Sequence, residues 1–242
     1  MNVQLELLLH ANEREKSFKE GVKAGIPTLL GYLSIGFAAG VVEQTAGLSI
    51  LEIALLSILL YAGSAQFIFA GMISASHSFI AIIFTIFFVN LRHLLLSAAL
   101  SPYFRHLTPV NNFLVGILLT DESFGVASGE AEGKSRLSLP WMHGLNVIAY
   151  LNWIAANVAG AFLGQWITSP TAYGLDFALT AMFIGLLVLQ MASRKKVRKD
   201  VLVGGLAVVL VIVLGQLGAG SLAVILAAVL AAAVGGLSER WK

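Results

Sequence analysis

Three polar interruptions in otherwise apolar segments carry the side chains that could do chemistry. They read Tyr61-Ala62-Gly63-Ser64-Ala65-Gln66-Phe67, Asn90-Leu91-Arg92-His93 and Thr120-Asp121-Glu122-Ser123. A charged side chain at the centre of a bilayer costs about 2.5–3.5 kcal/mol on insertion scales. Charged groups in such surroundings therefore pair with each other or line a wet path for a solute. The interruptions predict a binding site for a small solute, a proton relay, or both.

The residue types fit the two ends of a zwitterion and the transfer of a proton. The predicted substrate-binding residues are Gly63, Ser64, Gln66, Asn90, Arg92, Asp121 and Glu122, and the predicted proton carriers are Asp121, Glu122 and His93. A carboxylate would hold an ammonium group or a proton, and Arg92 would hold a substrate carboxylate. An unwound helix at Gly63 and Ser64 would add free N–H groups and a half-helix dipole.

Each of these features also has a structural interpretation, which the sequence leaves open. Arg92 and the acids of the third interruption could form an ion pair that only locks two helices together. Gly63, Ser64 and Ala65 could be small only to let a neighbouring helix approach closely. A histidine such as His93 is found more often in an interhelical hydrogen bond than in proton transfer.

Other classes of protein find little support in the sequence. The chain has no cysteine, which excludes disulfides, thiolate metal sites and cysteine nucleophiles. It has no HExxH zinc motif and no glycine-rich phosphate loop, and we expect no metal, no cofactor and no nucleic acid partner. Ser64 and His93 leave an intramembrane hydrolase as a remote alternative. We predict a carrier rather than an enzyme, with a carrier or channel for another small solute as the nearer alternative.

The surrounding composition predicts an all-α, polytopic membrane protein. Hydrophobic residues make up 58% of the chain and charged residues 12%, whereas soluble domains carry about 25% charged residues. Because a membrane-crossing helix needs roughly 20 apolar residues, eight spans are predicted. They cover residues 21–42, 50–73, 78–100, 110–128, 141–167, 175–193, 200–217 and 219–237. Seven spans plus a re-entrant segment is the alternative, and small-residue stretches hint at internally repeated halves.

The basic residues predict how these spans are oriented. With eight spans and the N-terminus inside, thirteen of the fifteen Lys and Arg residues fall on the cytoplasmic side, as the positive-inside rule requires. Both termini are then cytoplasmic, with a lead-in at 1–20 that lacks the pattern of a cleavable signal, one transporter domain at 21–237 and a tail at 238–242. At a rise of about 1.5 Å per residue, all three interruptions lie roughly 16–21 Å inside the membrane, near its midplane.

The three interruptions, taken together with two further strings, resemble the AzlC family. The strings that carry the likeness are Tyr61-Ala62-Gly63-Ser64-Ala65-Gln66-Phe67, Val89-Asn90-Leu91-Arg92-His93, Ser101-Pro102-Tyr103, Leu119-Thr120-Asp121-Glu122-Ser123-Phe124 and Gly174-Leu175-Asp176-Phe177-Ala178-Leu179. Any one of them is only moderately specific. Their order and spacing across a polytopic chain, from about residue 18 to 237, make the set specific.

The resemblance implies a function that the residues alone do not name. Members of this family are large subunits of branched-chain amino acid permeases and exporters of the bacterial inner membrane. The implied substrates are leucine, isoleucine and valine, with methionine as an additional one. The resemblance also implies a small AzlD-like membrane subunit of about four spans as a partner. Proton coupling, with an acidic residue as the carrier, is expected on these grounds.

Overall fold

The structure is a computed structural model whose regular elements are helices. It describes residues 15–167, 197–218 and 222–240, and between them 169–174, 177, 180, 181, 184, 185 and 188. The chain divides into two compact units, residues 1–182 and 183–242. No strand occurs in the described parts of either unit. The prediction of an all-α protein is therefore confirmed for these residues.

Within the described residues, helices with defined bounds number seven in the first unit and two in the second. The first seven are α1 (Phe18–Thr45), α2 (Ile50–Leu59), α3 (Gly63–Ser74), α4 (Phe79–Leu100), α5 (Pro109–Ile117), α6 (Asp121–Ala131) and α7 (Leu139–Gly164). The second unit holds α8 (Val197–Gln216) and α9 (Leu222–Arg240), and short 3-10 turns lie at Ser101–Phe104 and Pro170–Tyr173. Six helices of the first unit begin at a Ser or Thr whose side chain caps the helix. The exception is α3, which begins after Ala62.

Three described helices are long and apolar enough to cross a membrane by themselves. They are α1, α4 together with the turn that follows it, and α7. The predicted spans 50–73 and 110–128 are each divided into two shorter helices, with breaks at residues 60–62 and 118–120. Most of the predicted span 175–193 lies outside the described residues. The count of eight spans therefore stays a prediction.

The two longest helices, α1 and α7, pack against each other through glycines. A Cβ atom added at Gly40 would overlap the backbone carbonyl of Asn157, and one added at Gly160 would overlap the carbonyl of Phe37. Apolar helices in lipid gain little from hydrophobic burial against each other, so close backbone approach supplies the packing energy. The glycines thus hold α1 against α7.

The second unit repeats this manner of packing on a smaller scale. Ala223, Ala227 and Ala231 recur every four residues on α9 and are buried. A Cβ at Gly235 would lie 3.2 Å from a side-chain carbon of Val203 on α8. Small residues at helical spacing therefore form the contact between α8 and α9.

Large apolar side chains cover the outside of the first unit. Along α4, Phe79, Ile80, Ile83, Phe84 and Phe87 are each more than half exposed. In water such a face would be an association surface, but in a bilayer it is the face that contacts lipid. The exposure of α4 fits a membrane helix.

One end of the unit is tied by an ionic cluster around Glu130. The Glu130 carboxylate lies 2.6 Å from Lys16 Nζ and also contacts Lys134, and the Ser138 hydroxyl donates to the Lys16 carbonyl. These contacts join the start of α1, the end of α6 and the start of α7. Partial burial raises the pKa of Glu130, but the hydrogen bonds and charges of the two lysines outweigh it, so the pKa lies below its usual range.

The glycine contact predicts that Gly40→Ala destabilises the protein. The added methyl group meets backbone rather than a flexible side chain, so α1 and α7 must separate, at a cost of about 1–3 kcal/mol. The measurement is the apparent melting temperature of detergent-purified protein. Gly31→Ala is the matched control on the same helix, because a Cβ at Gly31 meets nothing within 4 Å. Equal melting temperatures for the two variants would contradict the close contact.

The ionic cluster predicts a pH-dependent loss of stability in Glu130→Gln. Because folding lowers the Glu130 pKa, the cluster stabilises the fold above the usual carboxyl pKa of 4.5 and the stabilisation disappears as the pH falls through the lowered value. Glu130→Gln should therefore lower the melting temperature slightly at pH 7, which corresponds to a loss of less than about 1 kcal/mol of unfolding free energy. In strong acid the variant and the wild type should melt at the same temperature. Glu132→Gln, an exposed neighbour, is the control. A deficit unchanged from neutral to acid pH would refute the ionic origin.

Candidate functional site

A small pocket, called closed below because its volume is too small for an amino acid, lies in the first unit where the two helix breaks meet α1, α4 and α7. Its walls are formed by Tyr32, Tyr61, Ala62, Gly63, Arg92, His93, Thr120, Asp121, Glu122 and Trp153. The cavity volume is about 10 Å³, which is roughly the room that one water molecule needs. The structure therefore shows the pocket in a state too small for an amino acid.

The break between α2 and α3 exposes the positive end of a helix. Tyr61 has a φ of 42°, a left-handed conformation that a helix cannot continue through, and Ala62 supplies no side-chain cap. The first N–H groups of α3, at Gly63 and Ser64, thus have no side-chain acceptor. The Tyr150 hydroxyl of α7 donates to the Ile58 carbonyl at 2.9 Å and so satisfies the end of α2.

The break between α5 and α6 is capped, and it places two acids in the first turn of α6. Thr120 N–H donates to the Ser123 hydroxyl at 2.8 Å, and Ser123 N–H donates to the Thr120 hydroxyl at 3.4 Å. Asp121 and Glu122 follow directly, where the helix dipole favours negative charge. On the other side of the break, the Asn146 amide of α7 donates to the Val115 carbonyl at 3.0 Å.

The charged groups of the pocket are paired across helices. Arg92 Nη1 of α4 lies 2.8 Å from Asp121 Oδ2, and the two side chains are 24% and 13% exposed. The Tyr32 hydroxyl of α1 donates to Glu122 Oε2 at 2.9 Å and shares a short hydrogen bond with Thr120. The acids of α6 are therefore held from two sides, by a cation and by a phenol.

Five of the predicted site residues line this pocket. They are Gly63, Arg92, His93, Asp121 and Glu122. Ser64 and Asn90 are not among the lining residues, and each has a buried side-chain oxygen with no hydrogen bond. The hydrogen bond between Ser64 and His93 that a hydrolase would use is consequently not formed. Gln66 also lies outside the pocket, in a separate buried network described below.

Tyr32 and Trp153 belong to the pocket but were not singled out from the sequence. Their rings meet edge to face with centroids 5.6 Å apart. The Trp153 ring also lies against Gly63, with a ring carbon 3.0 Å from where a Cβ would stand. The sequence signal for Tyr32 and Trp153 was weak, because each is a lone aromatic residue with a polar tip inside an apolar helix. No group of three His, Asp or Glu side chains suited to a metal occurs among the described residues.

Comparison with known proteins identifies the class. The AzlC protein family matches residues 27–167, a stretch that contains both helix breaks and every residue that lines the pocket. The chain belongs to the AzlC family of membrane proteins, and the resemblance seen in its motifs is confirmed. No solved structure is significantly similar to the chain.

Relatives from bacteria and archaea share most of the chain. Inner membrane protein YgaZ of Escherichia coli K12 is 30% identical over 71% of this chain and 72% of its own length. The branched-chain amino acid transport protein AzlC of Bacillus subtilis 168 is 27% identical over 77% of this chain and 74% of its own length. A membrane protein of Archaeoglobus fulgidus is 29% identical over 77% of this chain and 81% of its own length.

The pairing of Arg92 with Asp121 predicts non-additive effects on stability. Arg92→Gln or Asp121→Asn alone removes one member of a mostly buried ion pair, and each should cost up to about 3 kcal/mol. The double variant removes both charges of the pair and should be more stable than the sum of the single losses predicts. Melting temperatures of the four proteins in detergent test this. Strict additivity would show that the two side chains do not interact.

Proposed function

We propose that this chain is the large subunit of a secondary transporter that exports branched-chain amino acids, coupled to protons, across the inner membrane. The observation that carries the proposal is the closed pocket, in which two interrupted helices present an uncapped N-terminus and a cluster of opposite charges. Interrupted helices that meet at a central site are a recurrent design for binding small zwitterions in transporters.

The pocket offers a partner to each end of an amino acid. The substrate carboxylate would bind Arg92 and the free N–H groups at Gly63 and Ser64, and the ammonium group would bind Asp121 or Glu122. In the closed pocket, Arg92 and Asp121 neutralise each other. A bound zwitterion would replace that ion pair with two new ones, so Arg92 and Asp121 would each have an oppositely charged partner in both the empty and the loaded site.

Binding requires the pocket to open, because its present volume admits about one water molecule. The breaks at residues 60–62 and 118–120 are the points at which short helices can tilt without bending a continuous hydrogen-bonded helix. The Trp153 ring against Gly63 occupies the space next to the α3 N-terminus. We expect movement of α3 relative to Trp153 to admit the substrate.

The acids of α6 and His93 are the proton carriers proposed within the pocket. Glu122 is held by a phenol rather than a cation, so it can accept a proton without breaking an ion pair. Asp121 would be freed for protonation only when the substrate carboxylate draws Arg92 away. His93 lines the same pocket and could pass a proton between them and water.

The proposed substrates rest on the name of a relative, and the proposed partner rests on membership of the AzlC family. The Bacillus subtilis relative is named as a branched-chain amino acid transport protein, and leucine, isoleucine, valine and methionine are the candidate substrates. The Escherichia coli relative is named as an inner membrane protein. An AzlD-like small membrane subunit is the proposed partner. Both termini are proposed to be cytoplasmic, which the distribution of basic residues supports.

Efflux of labelled leucine from proteoliposomes tests the proposal. The chain is reconstituted with and without the candidate small subunit, and a pH gradient is imposed. We expect gradient-dependent efflux that requires both subunits. Unlabelled isoleucine, valine and methionine should compete, whereas lysine and glutamate should not. If a folded pair moves another solute but no leucine, the alternative of a carrier or channel for that solute replaces this proposal.

Neutral substitutions in the pocket test where the substrate binds. Arg92→Gln, Asp121→Asn and Glu122→Gln should each reduce leucine flux at least about tenfold, because each removes one charge-assisted contact of about 1.5–3 kcal/mol. Glu132→Gln, which lies outside the pocket, serves as the control. Unchanged flux in all three pocket variants, at equal protein abundance, would refute the site. Ser64→Ala separates the remote hydrolase alternative, since it would abolish a hydrolase and only tune a carrier.

A further inference from the structure

Glu43 is a buried acid that neither the motifs nor the pocket accounts for. It lies in the last turn of α1, one residue beyond the predicted first span, and its side chain is fully buried. One carboxyl oxygen accepts a hydrogen bond from Gln66 Nε2 at 3.0 Å. The other oxygen is buried and has no hydrogen-bond partner.

The surroundings of Glu43 are polar but uncharged. α2 contributes Ser57, α3 contributes Gln66 and α7 contributes Asn157, and none of these side chains ionises. The turn Pro170–Tyr173 also contacts α1, and its Tyr173 is largely exposed. No Lys or Arg among the described residues forms an ion pair with Glu43.

These contacts favour the neutral, protonated carboxyl group in the closed state. A buried carboxylate is tolerated only with a cation or with several donors around it. Among the described residues, Glu43 has a single donor, and that donor is neutral. Ser57 does not add a second one, because its hydroxyl already donates to the Ile53 carbonyl at 2.9 Å. The closed structure thus holds a proton on Glu43 that a change in its surroundings could release.

Gln66 links this acid to the wall of the substrate pocket. Trp153 Nε1 donates to Gln66 Oε1 at 2.7 Å, and an indole nitrogen can only donate. The amide orientation is therefore fixed, with its oxygen toward Trp153 and its nitrogen toward Glu43, Ser57 and Asn157. Trp153 in turn lies against Gly63 and Tyr32 in the pocket.

We propose that Glu43 is a proton-binding site of the transport cycle, separate from the substrate pocket, and that Gln66 and Trp153 couple its protonation to the pocket. The inference rests on the proposed function, because it supplies that function with a coupling site. Deprotonation would leave a carboxylate that draws the Gln66 amide closer and demands water or further donors. Either change pulls on the hydrogen bond to Trp153, the ring that fills the space beside Gly63. The proton is released to water on the side to which Glu43 opens, and another is taken up from the opposite side in the return step.

The test compares two modes of leucine transport in proteoliposomes that contain the complete transporter. Leucine exchange at equal pH on both sides needs no net proton movement, whereas accumulation against a gradient does. A one-unit pH difference sustains about a tenfold leucine gradient for each coupled proton. We expect Glu43→Gln, which fixes the neutral form, to keep exchange within about threefold of wild type and to lose that tenfold gradient. Glu52→Gln, an exposed acid, is the control and should keep both.

The outcomes separate the two proposals. Full pH-driven accumulation by Glu43→Gln would overturn the coupling role of Glu43 and leave the proposed function standing. If the wild-type transporter shows no leucine exchange, the proposed function itself is overturned. If Glu43→Gln does not fold, Glu43→Asp keeps a carboxyl group and should shift the pH dependence of accumulation while keeping exchange. An unshifted profile in Glu43→Asp would also overturn the coupling role.

A spectroscopic measurement tests the proton site without any transport. Infrared difference spectra between acid and alkaline pH should contain a protonated-carboxyl band from wild-type protein that is absent in Glu43→Gln. Gln66→Leu removes the one donor to the carboxyl group found among the described residues. It should therefore move that band, and it should slow leucine exchange because Trp153 loses its hydrogen-bond acceptor. A carboxyl band identical in wild type and Glu43→Gln would contradict a titrating Glu43.

Discussion

The contact between α1 and α7 is the constraint on which the rest of the first unit depends. Glycines bring the two backbones together, so that a single added methyl group at Gly40 or Gly160 would overlap a carbonyl. In lipid, this packing has to replace the hydrophobic effect as the source of association. The pair therefore forms a rigid support, and the polar side chains of α7 are held at fixed positions against the shorter helices.

That support allows helices to be broken inside an apolar environment. An unpaired backbone group in the bilayer core costs several kcal/mol, so a break is stable only where other groups satisfy it. α7 satisfies the C-terminal ends of two half-helices, with Tyr150 at Ile58 and Asn146 at Val115. The α6 N-terminus is capped by its own Thr120. The α3 N-terminus faces the same pocket as the α6 N-terminus, but it is left without a side-chain cap.

The sequence predicted the chemistry of this site better than its geometry. Arg92, Asp121 and Glu122 were identifiable because a charged side chain within an apolar segment is energetically costly and usually has a functional role. The first break was expected at Gly63 and Ser64 and lies just before them, at residues 60–62. The second, at residues 118–120, was not expected, because Thr120 is a local cap of α6 but the carbonyl of Val115 is satisfied from α7, a helix distant in sequence. Tyr32 and Trp153 could not be assigned, because aromatic residues in apolar helices usually only pack. Glu43 was missed because it lies one residue beyond a predicted span, where an acid is expected to meet water.

The two acidic regions of the unit solve the problem of buried charge in different ways. Asp121 forms an ion pair with Arg92, a neighbour that a zwitterionic substrate would replace under the proposed function. Glu43 has only the amide of Gln66, so its charge is cancelled by a proton. Substrate binding would act on the ion pair of Arg92 and Asp121, and a pH gradient would act on the carboxyl group of Glu43. A transporter that couples the two needs a physical connection between them, and the hydrogen bonds from Glu43 through Gln66 to Trp153 run from one to the other. Trp153 packs against Gly63 and Tyr32, and Tyr32 donates to Glu122, the neighbour of Asp121 in the first turn of α6.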